Sequence, residues 1–166
     1  IATLETDSMA DSPPQVNAFL LCDQAFQQLG TGKWCIIGTF GVIWAREFPV
    51  THAPLMVFVG LSDFRGNANV QVLIRDSEGE QIVAVNAQVP QLPPNSMSVA
   101  EFAFAFPPVT FKEAGSYTLE LLASDQFLAA RSFRVDEPPK MKPGQLPPWL
   151  RPPGAGPQQG PPEQQD

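Results

Sequence analysis

Between residues 16 and 135 the apolar positions fall in short segments, each roughly ten to fifteen residues from the next and each closed by Gly, Pro, Asn or Asp. That rhythm belongs to a sandwich or barrel, because strands joined by crossover helices need longer repeats. Eight strands are predicted, near 16–23, 33–44, 54–62, 68–75, 80–89, 98–106, 115–123 and 126–135. Side chains alternate across a strand, so Val70, Val72 and Ile74 share one face. By the same rule Phe102, Phe104 and Phe106 line a single side. Together with Tyr117, Leu119 and Leu121 they are expected to face the core. No stretch keeps the 3.6-residue apolar period of a helix, which leaves room for at most one helical turn near 23–29 or 110–114.

Turn chemistry marks the joints. Asp76-Ser77-Glu78-Gly79 sits between two alternating runs, and Gly79 can take the positive φ of a tight hairpin. A second turn is read at Ala123-Ser124-Asp125-Gln126. Pro90, Pro93 and Pro94 lack the N–H that a central ladder needs, so 90–97 is expected to carry the chain from one sheet to the other. If the first two strands form a hairpin centred on Gln28 and Leu29, Cys22 and Cys35 face each other. Their Cβ atoms would then stand about 4.5 to 5.5 Å apart, wider than the about 3.8 Å of a disulfide. Two buried or half-buried thiols are predicted, with a structural disulfide as the alternative if the protein is exported.

Composition divides the chain into a leader at 1–15, a domain at 16–135 and a tail at 136–166. The tail holds more than half of the 19 prolines, with repeated Gly and Gln, and offers too little apolar surface to offset chain entropy. It is expected to be disordered and to add no core contacts other than, at most, those of Trp149 and Leu150. Its one apolar patch surrounds Trp149, Leu150 and Arg151, the candidate partner-docking residues. No P-x-x-P spacing occurs there, which argues against ordinary SH3 recognition. Met9 opens a short polar leader, and the eight residues before it are expected to lie outside the functional protein.

The formal charge is -7, with 10 scattered basic residues against 17 acidic ones. Neutralising phosphates takes clustered Lys and Arg, so no nucleic-acid partner is expected. The longest apolar run, 34–44, is far shorter than the about 20 residues of a membrane helix, and its β-branched and aromatic residues read as a strand. No membrane association is expected. Residues 1–15 are polar and acidic, unlike a secretory leader, which makes the expected location cytoplasmic.

Several strings carry a resemblance. They are Phe19-Leu20-Leu21-Cys22-Asp23, Gly38-Thr39-Phe40 leading through Ile43-Trp44-Ala45 to Phe48-Pro49, and Gly115-Ser116-Tyr117-Thr118-Leu119-Glu120-Leu121. The run Phe127-Leu128-Ala129-Ala130-Arg131-Ser132-Phe133-Arg134-Val135 completes the set. Over about 16–135 the chain resembles a family of small bacterial proteins classed only as a domain of unknown function. The resemblance implies a compact Ig-like sandwich and bacterial origin, and no activity. Independently, Gly115-x-Tyr117 is similar to the tyrosine corner of Greek-key sandwiches, where a buried ring spends its hydroxyl on nearby backbone.

Catalytic groupings are sparse. The one histidine, His52, lies in Thr51-His52-Ala53-Pro54 and reads as an exposed loop residue. There is no C-x-x-C and no paired histidine for zinc. Asp76, Glu78 and Glu80 lack the ligand spacing of a calcium loop and read as a solvated hairpin tip. No catalytic, metal or cofactor site is predicted. Trp34 and Trp44 have the same parity along one strand and are expected to share a core face. Were they exposed, they and Phe64 could stack sugars. The expectation is an all-β, Ig-like antiparallel β-sandwich with a Pro-rich tail, of unknown function, acting as a non-enzymatic interaction or scaffold module on an unidentified protein partner. A carbohydrate-binding or other ligand-binding sandwich is the alternative.

Overall fold

The computed structural model describes residues 13–63, 68–89 and 99–140. Among them are eleven strands and no helix: β1 (Gln15–Gln27), β2 (Trp34–Thr39), β3 (Val42–Trp44), β4 (Val50–His52), β5 (Met56–Ser62), β6 (Ala68–Arg75), β7 (Gln81–Val89), β8 (Ala100–Ala105), β9 (Val109–Phe111), β10 (Gly115–Ala123) and β11 (Gln126–Asp136). One sheet runs β2-β1-β5-β8, the facing sheet β3-β11-β10-β6-β7, and β4 pairs with β9 in a small ladder. This is the immunoglobulin arrangement, down to the parallel pairing of β3 with β11. It departs from that plan at one edge. There the first strand ordinarily ends its sheet, whereas here β2 folds back and pairs outside β1.

Alternation built the core as expected. Val70, Val72 and Ile74 are fully buried, and Phe104, Phe106, Tyr117, Leu119 and Leu121 meet them in one cluster with Phe102 packed alongside. Phe111 stands edge-on to both Tyr117 and Phe133, with ring centroids 4.9 and 5.9 Å away. The Tyr117 hydroxyl donates to the Glu113 carbonyl at 2.8 Å, which completes the tyrosine corner.

Both predicted turns form. Asp76 accepts the N–H groups of Glu78 and Glu80 on its carboxylate, and Gly79 takes φ +87. Ser124 and Asp125 both take positive φ, which matches the right-handed twist of the strands they join. The connection across Pro90, Pro93 and Pro94 lies outside the described residues, but β7 before it and β8 after it belong to different sheets.

Several expectations about the strands and their register need correction. The strand expected over 33–44 is two strands in two sheets, because Gly38 takes φ +68 and the chain crosses between the sheets before Val42. Residues 23–27 extend β1 where a helical turn had room, and 109–111 form β9. The three-residue strands β4 and β9, set among prolines, were not anticipated because so short a run shows no period. Finally, Cys22 pairs with Thr39 and Cys35 with Phe26, so the two cysteines are not opposed. The hairpin is centred between Gly30 and Thr31, where Gly30 and Gly32 supply positive φ, two residues beyond the Gln28–Leu29 centre.

Candidate functional site

The shifted hairpin creates the molecule's most distinctive surface. β1 pairs with β5 only from Gln15 to Cys22, which stands opposite Met56. From Cys22 to Gln27 its partner is β2. Residues 23–27 and 34–38 therefore form a two-stranded ribbon, which reaches back to β5 where the Ala25 N–H donates to the Met56 sulfur at 3.4 Å. Its tip is closed by the Gln28 N–H donating to Lys33 O at 2.8 Å and the Gly32 N–H donating to Gln28 O at 3.0 Å.

The two faces of the ribbon differ. On one, Ala25, Trp34 and Ile36 join Cys22 and Phe58 in a second apolar cluster on the outer side of the sheet. The Trp34 ring meets Phe58 edge-on, centroids 5.3 Å apart. On the other face Phe26 lies opposite Cys35, and Gln24 opposite Ile37. Phe26 is 47% exposed and Ile37 50%, while Leu29 at the tip is 98% exposed. The sandwich offers this face no cover.

The expected residues fall elsewhere. Trp34 and Trp44 do not share a core face: Trp34 belongs to the outer cluster, and Trp44, in β3 of the other sheet, is 46% exposed. The glycine break at 38–41 upset their common parity. His52 is not an exposed loop residue either. It sits in β4 opposite Val109, with its ring edge-on to Phe40 at 5.7 Å, and its buried Nε2 has no hydrogen-bond partner. Burial pushes its pKa below the ordinary 6.5, opposed by the charge of Asp23.

Both cysteines are free, Cys22 buried and Cys35 half-buried. Burial, with a lesser push from Asp23, raises the Cys22 pKa. Asp76, Glu78 and Glu80 border a polar recess with Lys112, Glu113 and Tyr117. Among the described residues no three His, Cys, Asp or Glu side chains converge as a metal site. Phe64, Trp149, Leu150 and Arg151 lie outside the described residues. Sequence reasoning missed Phe26, Leu29 and Ile37, although the Gly30-Thr31-Gly32 string would have placed the turn and with it the register.

Fold and surface together define an immunoglobulin-like β-sandwich with an added N-terminal ribbon. The chain belongs to the Family of unknown function (DUF6941), whose model matches residues 17–136. Among solved structures it is similar to an immunoglobulin-like protein from Pseudomonas aeruginosa, with 16% identity and a TM-score of 0.37 over 76% of this chain and 98% of that one. No curated protein matches the chain.

Proposed function

We propose that the protein is a non-enzymatic interaction module and that the ribbon formed by β1 and β2 is its docking surface. The observation that carries this reading is the bare face of Phe26 and Ile37, with Leu29 at the tip, on a ribbon only two strands wide. A two-stranded ribbon is marginal in water on its own, and apolar side chains grouped on its exposed face support its use as a partner surface. Phenylalanine at the middle of such a patch is a suitable anchor, with Gln24, Gln27 and Gln28 as a polar border. Among the described residues no strand pairs with the far edge of β1 beyond Cys22, although the Ala25 N–H there donates to the Met56 sulfur at 3.4 Å, which leaves main-chain addition of a partner segment to the residues past Ala25.

A sugar platform has less support. Trp34 spends its ring on Phe58, and Trp44 stands in the opposite sheet, so the two do not make one stacking surface. The test is capture of partner protein by the wild-type chain and by a Phe26→Asp, Ile37→Asp variant. Loss of the captured protein, with an unchanged circular dichroism spectrum, is expected. Undiminished capture would overturn the reading.

A further inference from the structure

The outer side of the sheet β2-β1-β5-β8 is apolar where a sandwich ordinarily turns polar residues to water. Alternation sends Leu21, Val57 and Val59 inward to the main core and Leu20, Cys22, Met56 and Phe58 outward. Neighbouring stretches of β1 and β5 therefore carry apolar side chains on both faces, the pattern of strands covered from both sides. The outer cover is the ribbon. Ala25, Trp34 and Ile36 close over that face and leave Cys22 0% and Phe58 4% exposed.

Little holds the cover down. The outer cluster shares no residue with the main core. The hydrogen bond from the ribbon to β5 is that of the Ala25 N–H to Met56 Sδ, 3.4 Å long, and a thioether is a weak acceptor. The rest is side-chain packing, led by the Trp34 ring against Phe58. That packing has a cost, because Trp34 Nε1 is buried with no hydrogen-bond partner among the described residues. An unpaired buried donor favours a state in which it reaches water.

The base of the ribbon supplies a hinge. Gly38 takes φ +68, and the Asp23 side chain fills the space where a Cβ at Gly38 would lie. Lifting the ribbon there breaks neither ladder: the β1–β2 pairs travel within it, and the β1–β5 pairs end at Cys22 opposite Met56.

We propose that the ribbon is a strap that lifts from the outer face as a unit, hinging at Asp23 and Gly38, and uncovers the apolar surface around Cys22 and Phe58 while the sandwich stays folded. Segments fixed by few buried contacts open with free energies well below that of global unfolding. The strap goes beyond the docking reading and stands without it, because it concerns the ribbon's covered face rather than Phe26 and Ile37.

The Cys22 thiol reports the opening. In the full chain carrying Cys35→Ser it is the one thiol left. Its alkylation by N-ethylmaleimide is followed by mass spectrometry over prolonged incubation, where the rate is proportional to reagent, and global stability is taken from urea unfolding. Cys22 should stay closed to a quick titration, yet alkylate at least about tenfold faster than global unfolding permits. Trp34→Ala should speed the reaction by about tenfold, and Ile36→Ala, which removes less packing, should speed it by less. Val72→Ala in the facing sheet should lower the urea midpoint and leave the native alkylation rate unchanged, since it weakens the closed and open forms alike. Alkylation no faster than global unfolding allows would overturn the strap. So would a rate that Val72→Ala raises in step with its loss of stability, or one indifferent to both Trp34→Ala and Ile36→Ala.

Discussion

Phe26 stands directly opposite Cys35 across the ladder of β1 and β2, near the end of a ribbon that no other strand flanks among the described residues. That pairing separates the two cysteines chemically. Cys22 is fully buried beneath the outer cluster and its thiol is held in the protonated form, whereas Cys35 lies half-open beside Phe26. Thiol titration should therefore find one reactive group in the native protein and two after denaturation. Cys35→Ser should remove the native reaction and Cys22→Ser should leave it. Two fast thiols, or none in either state, would contradict this assignment.

Core burial predicts a sharp contrast within β8. Phe104 is buried and edge-on to Phe102 at 5.5 Å, while its neighbour Glu101 is exposed. Phe104→Ala should cost about 3 to 5 kcal/mol in urea unfolding, a cavity in the main core, and Glu101→Ala no more than about 0.5 kcal/mol. Similar costs for the two would show that the faces of β8 are reversed.

The tyrosine corner should be measurable on its own. Tyr117→Phe keeps the ring against Phe111 and Phe133 and removes only the hydroxyl that donates to Glu113. A loss of about 0.5 to 1.5 kcal/mol is expected from equilibrium unfolding. No loss would mean that water replaces the bond at no cost.

Two glycines of the ribbon should respond differently to alanine. Gly30 has φ +84 with open space around it, so Gly30→Ala should cost only the left-handed backbone penalty of about 1 to 2 kcal/mol. At Gly38, with φ +68, an added methyl group would also run into the Asp23 side chain. Gly38→Ala should therefore be the more destabilising, and Asp23→Ala should restore part of the difference. Equal effects would place the penalty in the backbone alone.

His52 should make stability depend on pH. Its folded pKa lies below the ordinary 6.5, so below about that pH the unfolded chain binds a proton that the folded ring resists. Stability from this group is therefore full above pH 6.5 and is lost as pH falls towards the folded value. Urea midpoints at pH 7.5 and 5.5 should differ more for the wild type than for His52→Gln. An equal difference in both would assign the effect to other groups.

Much of the sandwich was legible in the chain because its signals are local. The alternation of Val70, Val72 and Ile74, the ring row from Phe102 to Phe106, the turn at Gly79 and the Gly115-x-Tyr117 corner each depend on residues close in sequence, and each stands where the pattern put it. Expectation failed where a single residue redirected the chain. A positive φ at Gly38 divides what reads as one apolar run between two sheets, which sends Trp34 and Trp44 to separate surfaces. A turn centred two residues later moves every pair in the first hairpin, because register is a property of two strands together.

The sequence by itself determined the all-β class, the boundaries of most strands and the residues of the main core, since period-two burial is encoded residue by residue. Only the tertiary structure decided that β1 outruns β5. Phe26 and Ile37 carry the same apolar pattern as core residues, and nothing local distinguishes them from Leu21 or Val59. Their exposure follows from where the neighbouring strands end, and strand ends in two sheets are set by the whole chain's packing.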